Sequence, residues 1–166
     1  MALSPFFTVP EAAELADMKP ATLNLWIRDG LIGGDNDRIA ESQGGVTLLA
    51  VDTVFAVALA SVLRQRGAHP TIACKAANSV AYLKAPLPSS DAKPKSTELG
   101  NSSNCVLVTE KGEARFVTMQ SALTGAVENL GDAALSVMDA AWVVPYDRIA
   151  MKVMQAAWNK RGREKK

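Results

Sequence analysis

Thr8-Val9-Pro10-Glu11-Ala12-Ala13-Glu14-Leu15, followed after three residues by Lys19-Pro20-Ala21-Thr22-Leu23-Asn24-Leu25-Trp26-Ile27-Arg28-Asp29-Gly30, decides how this chain is read. Thr8 with Glu11 three residues on is a capping-box start, and Pro10 is tolerated in a first helical turn. The helix it opens runs to about Ala16. Pro20 disfavours helical geometry at Lys19, so residues 17–19 predict a short break. Pro20 then suits the first position of a second helix, and Gly30 is the natural residue to end it. Leu23, Trp26 and Ile27 share one face at i, i+3, i+4 spacing. Thr22, Leu25 and Arg28 lie opposite, with Asn24 at the margin. Two short helices around a tight turn, the second amphipathic, predict a helix-turn-helix.

Working outward, Leu31-Ile32, Gly33-Gly34-Asp35, Arg38-Ile39, Gly44-Gly45 and Val46-Thr47-Leu48 predict two short strands around a glycine turn, a wing. A long apolar helix follows from about Val51 to Arg66 with Gly67 as its stop. His69-Pro70 opens another, running to about Lys84. From Lys84 to Asn104 the chain reads KAPLPSSDAKPKSTELGNSSN, with three prolines and six serines or threonines, and reads as a linker. Beyond it, Cys105–Thr109 and Ala114–Met119 are β-prone runs around Gly112, which offers the positive φ of a tight hairpin. Ser121 to Leu130 suits a short helix, Ala134 to Val144 a strand, and Tyr146 to about Lys160 a last helix. In that helix Ile149, Val153, Met154, Ala157 and Trp158 share a stripe. The expected class is α+β: a winged helix-turn-helix at 5–83, a linker at 84–104, a β-β-α-β-α module at 105–160 and a basic tail at 161–166.

At 166 residues with 48% apolar side chains the chain has material for a core, and 5% aromatics leave that core to Ala, Val, Leu and Ile. Eighteen basic against 17 acidic side chains give +1, which removes overall basicity as a pointer to nucleic acid. Cys74 and Cys105 form no C-x-x-C pair, and with the single His69 they make no usual zinc set. His69 reads as a turn residue capping the next helix, and the cysteines as small buried hydrophobes, with redox sensing as the alternative. No phosphate-binding loop, nucleophile elbow or zinc-protease motif occurs. Neither catalysis, a cofactor nor a metal is expected. Met1-Ala2-Leu3-Ser4-Pro5 lacks the features of a secretory signal, and the Leu48–Leu63 run, broken by Asp52, falls short of a membrane span. The expected location is cytoplasmic and nucleoid-associated, with no membrane partner.

Three pieces together, Phe7-Thr8-Val9-Pro10-Glu11-Ala12-Ala13-Glu14-Leu15, Lys19-Pro20-Ala21-Thr22-Leu23 and Trp26-Ile27-Arg28-Asp29-Gly30-Leu31-Ile32, carry a resemblance. Over about residues 6–67 the chain resembles the winged helix-turn-helix of the MerR family, including excisionase-like relatives. Arg38 falls where that family usually has a wing arginine. The chain departs from the family at Asn24-Leu25, where an arginine or arginine-tyrosine pair is usual, and at Val46-Thr47-Leu48, where an aromatic-arginine pair is usual. It also lacks the cysteine constellation of the metal sensors.

The resemblance implies a DNA-binding transcriptional regulator, expected to be a repressor, that reads the major groove with helix 20–29. Lys19, Arg28 and Arg38 are the candidate phosphate contacts. Asn24 suits bidentate recognition of adenine, Leu25 a thymine methyl, and Thr22 shares their face. About fifty residues form a marginal core alone, so the second module is expected to be completed by a second copy in a homodimer on double-stranded DNA. The apolar helix 51–63 fits either a core or that dimer contact. An excisionase-like architectural factor uses the same fold. Residues 1–83 hold six basic and eight acidic side chains, net −2. That balance supports a different class, an antitoxin or adaptor acting on a protein partner.

Overall fold

A computed structural model describes residues 6–34, 37–40, 45–81, 104–118 and 142–164, which form five helices and two small antiparallel sheets in a mixed α and β architecture. The helix expected over 121–130, residues 134–141 and the stretch 84–103 lie outside the described residues.

The first helix begins where Glu11 reaches back. β1 (Phe7–Thr8) leads into α1 (Val9–Leu15), and Glu11 Oε2 accepts the Thr8 N–H at 2.7 Å and the Thr8 hydroxyl at 2.9 Å. The helix stops because Asp17 takes a left-handed φ of 52°, so that Met18 N–H reaches Ala13 O and Asp17 N–H reaches Glu14 O. Pro20 is therefore not what ends α1; it starts α2 (Pro20–Arg28). α2 ends by the same hydrogen-bond pattern, with Gly30 at φ 67° and Leu31 N–H on Trp26 O at 2.8 Å.

β2 (Arg38–Ala40) and β3 (Val46–Leu49) pair antiparallel, and β1 joins the other side of β3, giving the order β1-β3-β2. α3 (Val51–Gln65) follows. Its N-cap, Ala50, has no side-chain oxygen to offer, and Asp37 supplies a carboxylate instead. Asp37 Oδ1 accepts the Ala50 N–H at 2.7 Å while Oδ2 accepts that of Gly34 at 2.9 Å.

Eleven of the fifteen α3 residues are buried, so this helix is enclosed within one chain and leaves no broad apolar face for a second copy. It packs against α1, against α4 (Pro70–Ala81) and against the last helix, α5 (Tyr146–Glu164). Buried alanines at 56 and 60 on α3 and at 73, 76 and 77 on α4 provide the small side chains that close helix packing favours.

The second sheet has the order β5-β4-β6, from β4 (Asn104–Val108), β5 (Ala114–Thr118) and β6 (Trp142–Pro145). β4 is buried on both faces. Val106 and Val108 join the main core, while Cys105 and Leu107 form a small cluster with Val117 and Val143. The main core is continuous. It contains Leu23 and Trp26 of α2, Phe55 of α3 and Val153 and Met154 of α5. Ile149, Val153, Met154 and Ala157 of the expected α5 stripe lie in this core, whereas Trp158 is half-buried and outside it, so the second module shares a core with the first and is not left to form one alone. α5 also continues through Gly162 to Glu164, into the expected basic tail.

Polar ties reinforce the join. Trp142 Nε1 donates to Arg66 O at 3.1 Å, and the Arg66 guanidinium donates back to Val143 O. Lys75 Nζ donates to Lys111 O at 3.0 Å, and Asn78 Nδ2 to Leu31 O at 2.9 Å. Lys152 Nζ meets Asp17 at 2.9 Å, and Lys160 Nζ meets both oxygens of Glu11 at 2.7 and 2.8 Å while lying 5.0 Å above the Phe7 ring.

Candidate nucleic-acid interface

α2 is pinned from behind. Leu23 and Trp26 are 0% and 3% exposed, Ile27 is half-buried, and Asn78 of α4 holds the backbone just past the helix end. A short helix held this way has a defined outward face. Ala21, Asn24, Leu25 and Arg28 make it up, at i, i+3, i+4 and i+7, and all four are exposed. Leu25, at 43%, is one of two large hydrophobic residues left exposed among the described residues; Val46 on β3 is the other.

The six candidate residues therefore separate. Asn24, Leu25 and Arg28 share the outward face, and Lys19 is exposed at the N-cap of the same helix. Thr22 is half-buried at the margin, so Thr22 and Asn24 exchange the places expected for them. The two buried anchors, Leu23 and Trp26, set the inward direction, and Thr22 lies closer to it around the helix. Arg38 opens β2, its backbone opposite Leu48. Ala21 went unnoticed in the sequence, although its spacing from Asn24, Leu25 and Arg28 marks it.

The electrostatics add a feature that spacing does not reveal. Arg28 Nε donates to Asp29 Oδ1 at 3.1 Å, with 74% of the arginine side chain exposed. Such a pair is worth at most about 1 kcal/mol, and an incoming phosphate competes with it directly. The acidic excess of residues 1–83 is also less bare than its sum. Asp37 spends both oxygens on backbone N–H groups, and Glu11 and Asp17 are paired with lysines of α5.

Other reactive groups sit elsewhere. His69 is exposed just before α4, its carbonyl accepting Ala73 N–H and its Nδ1 the Thr71 N–H at 3.4 Å, which is the arrangement of a turn residue. Cys74 is buried and its thiol is pushed up to about 12 by that burial, with Arg64 pulling weakly the other way. Burial, then the Asp147 charge, also raises the Cys105 thiol. Thiols held protonated in this way are poor nucleophiles. Among the described residues no group of three or more His, Cys, Asp or Glu is placed to hold a metal, and no helix is long and apolar enough to cross a membrane.

In comparisons with known proteins, no family model and no curated protein matches the chain.

Proposed function

We propose that the chain is a sequence-specific DNA-binding regulator of transcription, acting as a repressor in the cytoplasm on nucleoid DNA. In this reading α1, the Asp17 turn and α2 form a helix-turn-helix, and β2 and β3 are its wing. The observation that carries it is the outward face of α2, where Asn24, Leu25 and Arg28 stand exposed on a helix whose opposite face is locked into the core. Asn24 has the amide geometry for an adenine edge and Leu25 the apolar surface for a thymine methyl. Lys19 and Arg28 flank them as phosphate partners, with Arg38 as a third from the wing.

Few cations face the site, so the affinity is modest and its salt slope shallow. The ion pairs that Glu11 and Asp17 make with α5 support the reading, because they relieve acidic charge next to the turn. A second reading, an adaptor or antitoxin-like protein, draws on the exposed apolar Leu25 and Val46.

Fluorescence anisotropy with promoter-derived and random duplexes across a salt series tests the proposal. Arg28→Ala lowers affinity about tenfold, the worth of one charge-assisted contact. Asp29→Asn, which frees Arg28 and removes a negative charge, raises it about threefold. No binding at low salt, or binding indifferent to Arg28, overturns the proposal and directs the search to a protein partner.

A further inference from the structure

Ala21, Asn24 and Leu25 stand outward on the first two turns of α2, one amide between two apolar side chains, all three exposed. Ala21 lies three and four positions before the other two, so they form one contiguous patch. Along the helix axis the patch covers about 6 Å, roughly two base-pair steps of a duplex. The cations stand at its ends. Lys19 is the N-cap, and Arg28, in the last turn, is paired with Asp29 at 3.1 Å. Between those ends the outward face carries no charge of either sign.

What such a patch recognises follows from the edges that base pairs present in the major groove. An A·T pair offers the adenine N7 acceptor and N6 donor, which an asparagine amide meets with both its groups, and the apolar C5 methyl of thymine. A G·C pair offers two adjacent acceptors on guanine, an amino donor on cytosine and no methyl. Adjacent acceptors need a two-donor fork such as arginine, and the cytosine amino group needs a carboxylate. The patch holds neither. Ala21 or Leu25 laid over those polar edges strips their water and returns no hydrogen bond, whereas either one against a thymine methyl buries apolar surface on both sides.

From this composition we infer that the ligand of the α2 face is a tract of about three A·T pairs, recognised through its thymine methyl groups as well as its adenine edge. Asn24 takes the adenine, and Leu25 and Ala21 take methyl groups to either side of it. Arg28 is left to the phosphate backbone and reads no guanine. The inference rests on the proposal that α2 enters the major groove, and it deepens that proposal by naming the sequence class of the DNA. Affinity then follows a methyl group that takes no part in base pairing.

Sequencing the duplexes that the full chain retains from a random pool at low salt is the first test, with enrichment of a short A·T tract expected. Fluorescence anisotropy on the most enriched duplex, with uracil in place of its enriched thymines, is the second. Uracil keeps the base pairing and removes only the C5 methyl. The exchange weakens wild-type binding about fourfold for each methyl contacted, and Leu25→Ala, already lacking one contact, responds correspondingly less. Asn24→Ala weakens binding about tenfold and relaxes the preference for adenine. Both positions are exposed, so neither change reaches the core. Retention of no duplex at low salt overturns the DNA reading and this inference with it. Retention without A·T enrichment, or uracil duplexes bound as tightly as thymine ones, overturns the inference alone.

Discussion

Glu11 holds three donors at once, the Thr8 N–H, the Thr8 hydroxyl and the Lys160 ammonium. Burial alone would raise its pKa, but Lys160 and the Thr8 hydrogen bonds outweigh that and keep the carboxyl below its ordinary range. The folded group is thus more acidic than the unfolded one. Its stabilisation is complete above the ordinary carboxylate range and fades as pH falls through the lowered folded value. Glu11→Gln therefore costs stability at neutral pH, no more than about 1 kcal/mol for a pair this exposed, and the gap from wild type closes in acid. Urea denaturation at stepped pH measures it, and a gap that persists in acid contradicts the assignment. Half of this arrangement was legible beforehand. Thr8 and Glu11 lie three residues apart, where spacing alone suggests a capping box, whereas Lys160 lies 149 positions away and no local pattern points to it.

At the scale of elements, the hairpin between β4 and β5 rests on Gly112. Its φ is 78°, and a Cβ there would come within 3.2 Å of Ile72 O and 3.3 Å of the Lys75 side chain. Gly30 has a similar φ of 67° but open space around it. Gly30→Ala pays only for backbone strain, about 1 kcal/mol, while Gly112→Ala adds a clash with α4 backbone and is expected to cost about 2–3 kcal/mol. Chemical denaturation of the two variants gives the ordering, and equal losses mean that the hairpin does not press on α4. Both glycines were readable as turn residues, since positive φ has few other occupants. That Gly112 abuts α4 was not readable, because it depends on packing between segments about forty residues apart. The two-residue strand β1 was missed as a sheet member for the same reason: its pairing partner, β3, lies forty residues on.

For the whole molecule, composition suggested two modules, because a Pro- and Ser-rich stretch interrupts the apolar pattern. The apolar stripe of α5 was visible, but a stripe does not say what covers it. The continuous core from Leu23 to Met154 makes one cooperative unfolding transition the expected outcome. Variants that keep only Trp26, or only Trp142, as fluorophore report on the two halves, and their thermal midpoints should coincide. Val153→Ala in α5, expected to cost about 2 kcal/mol, should lower both together. Separate midpoints would mean two independently stable units. The outward face of α2, by contrast, was legible from helical periodicity at Leu25 and Arg28, whereas Ala21 went unnoticed, Thr22 and Asn24 exchanged places, and the Arg28–Asp29 pair escaped it.

The Lys160–Glu11 contact also has a bearing on how the chain is made. While a ribosome is still synthesising α5, α1 and the flank of α3 beneath it have emerged without their cover. Folding of the first half is therefore completed only after Lys160, 149 positions on from Glu11, has left the exit tunnel, and such high contact order slows folding. During that interval the newborn chain shows water an apolar surface that the finished protein never shows, and it is then that a chaperone would find its substrate.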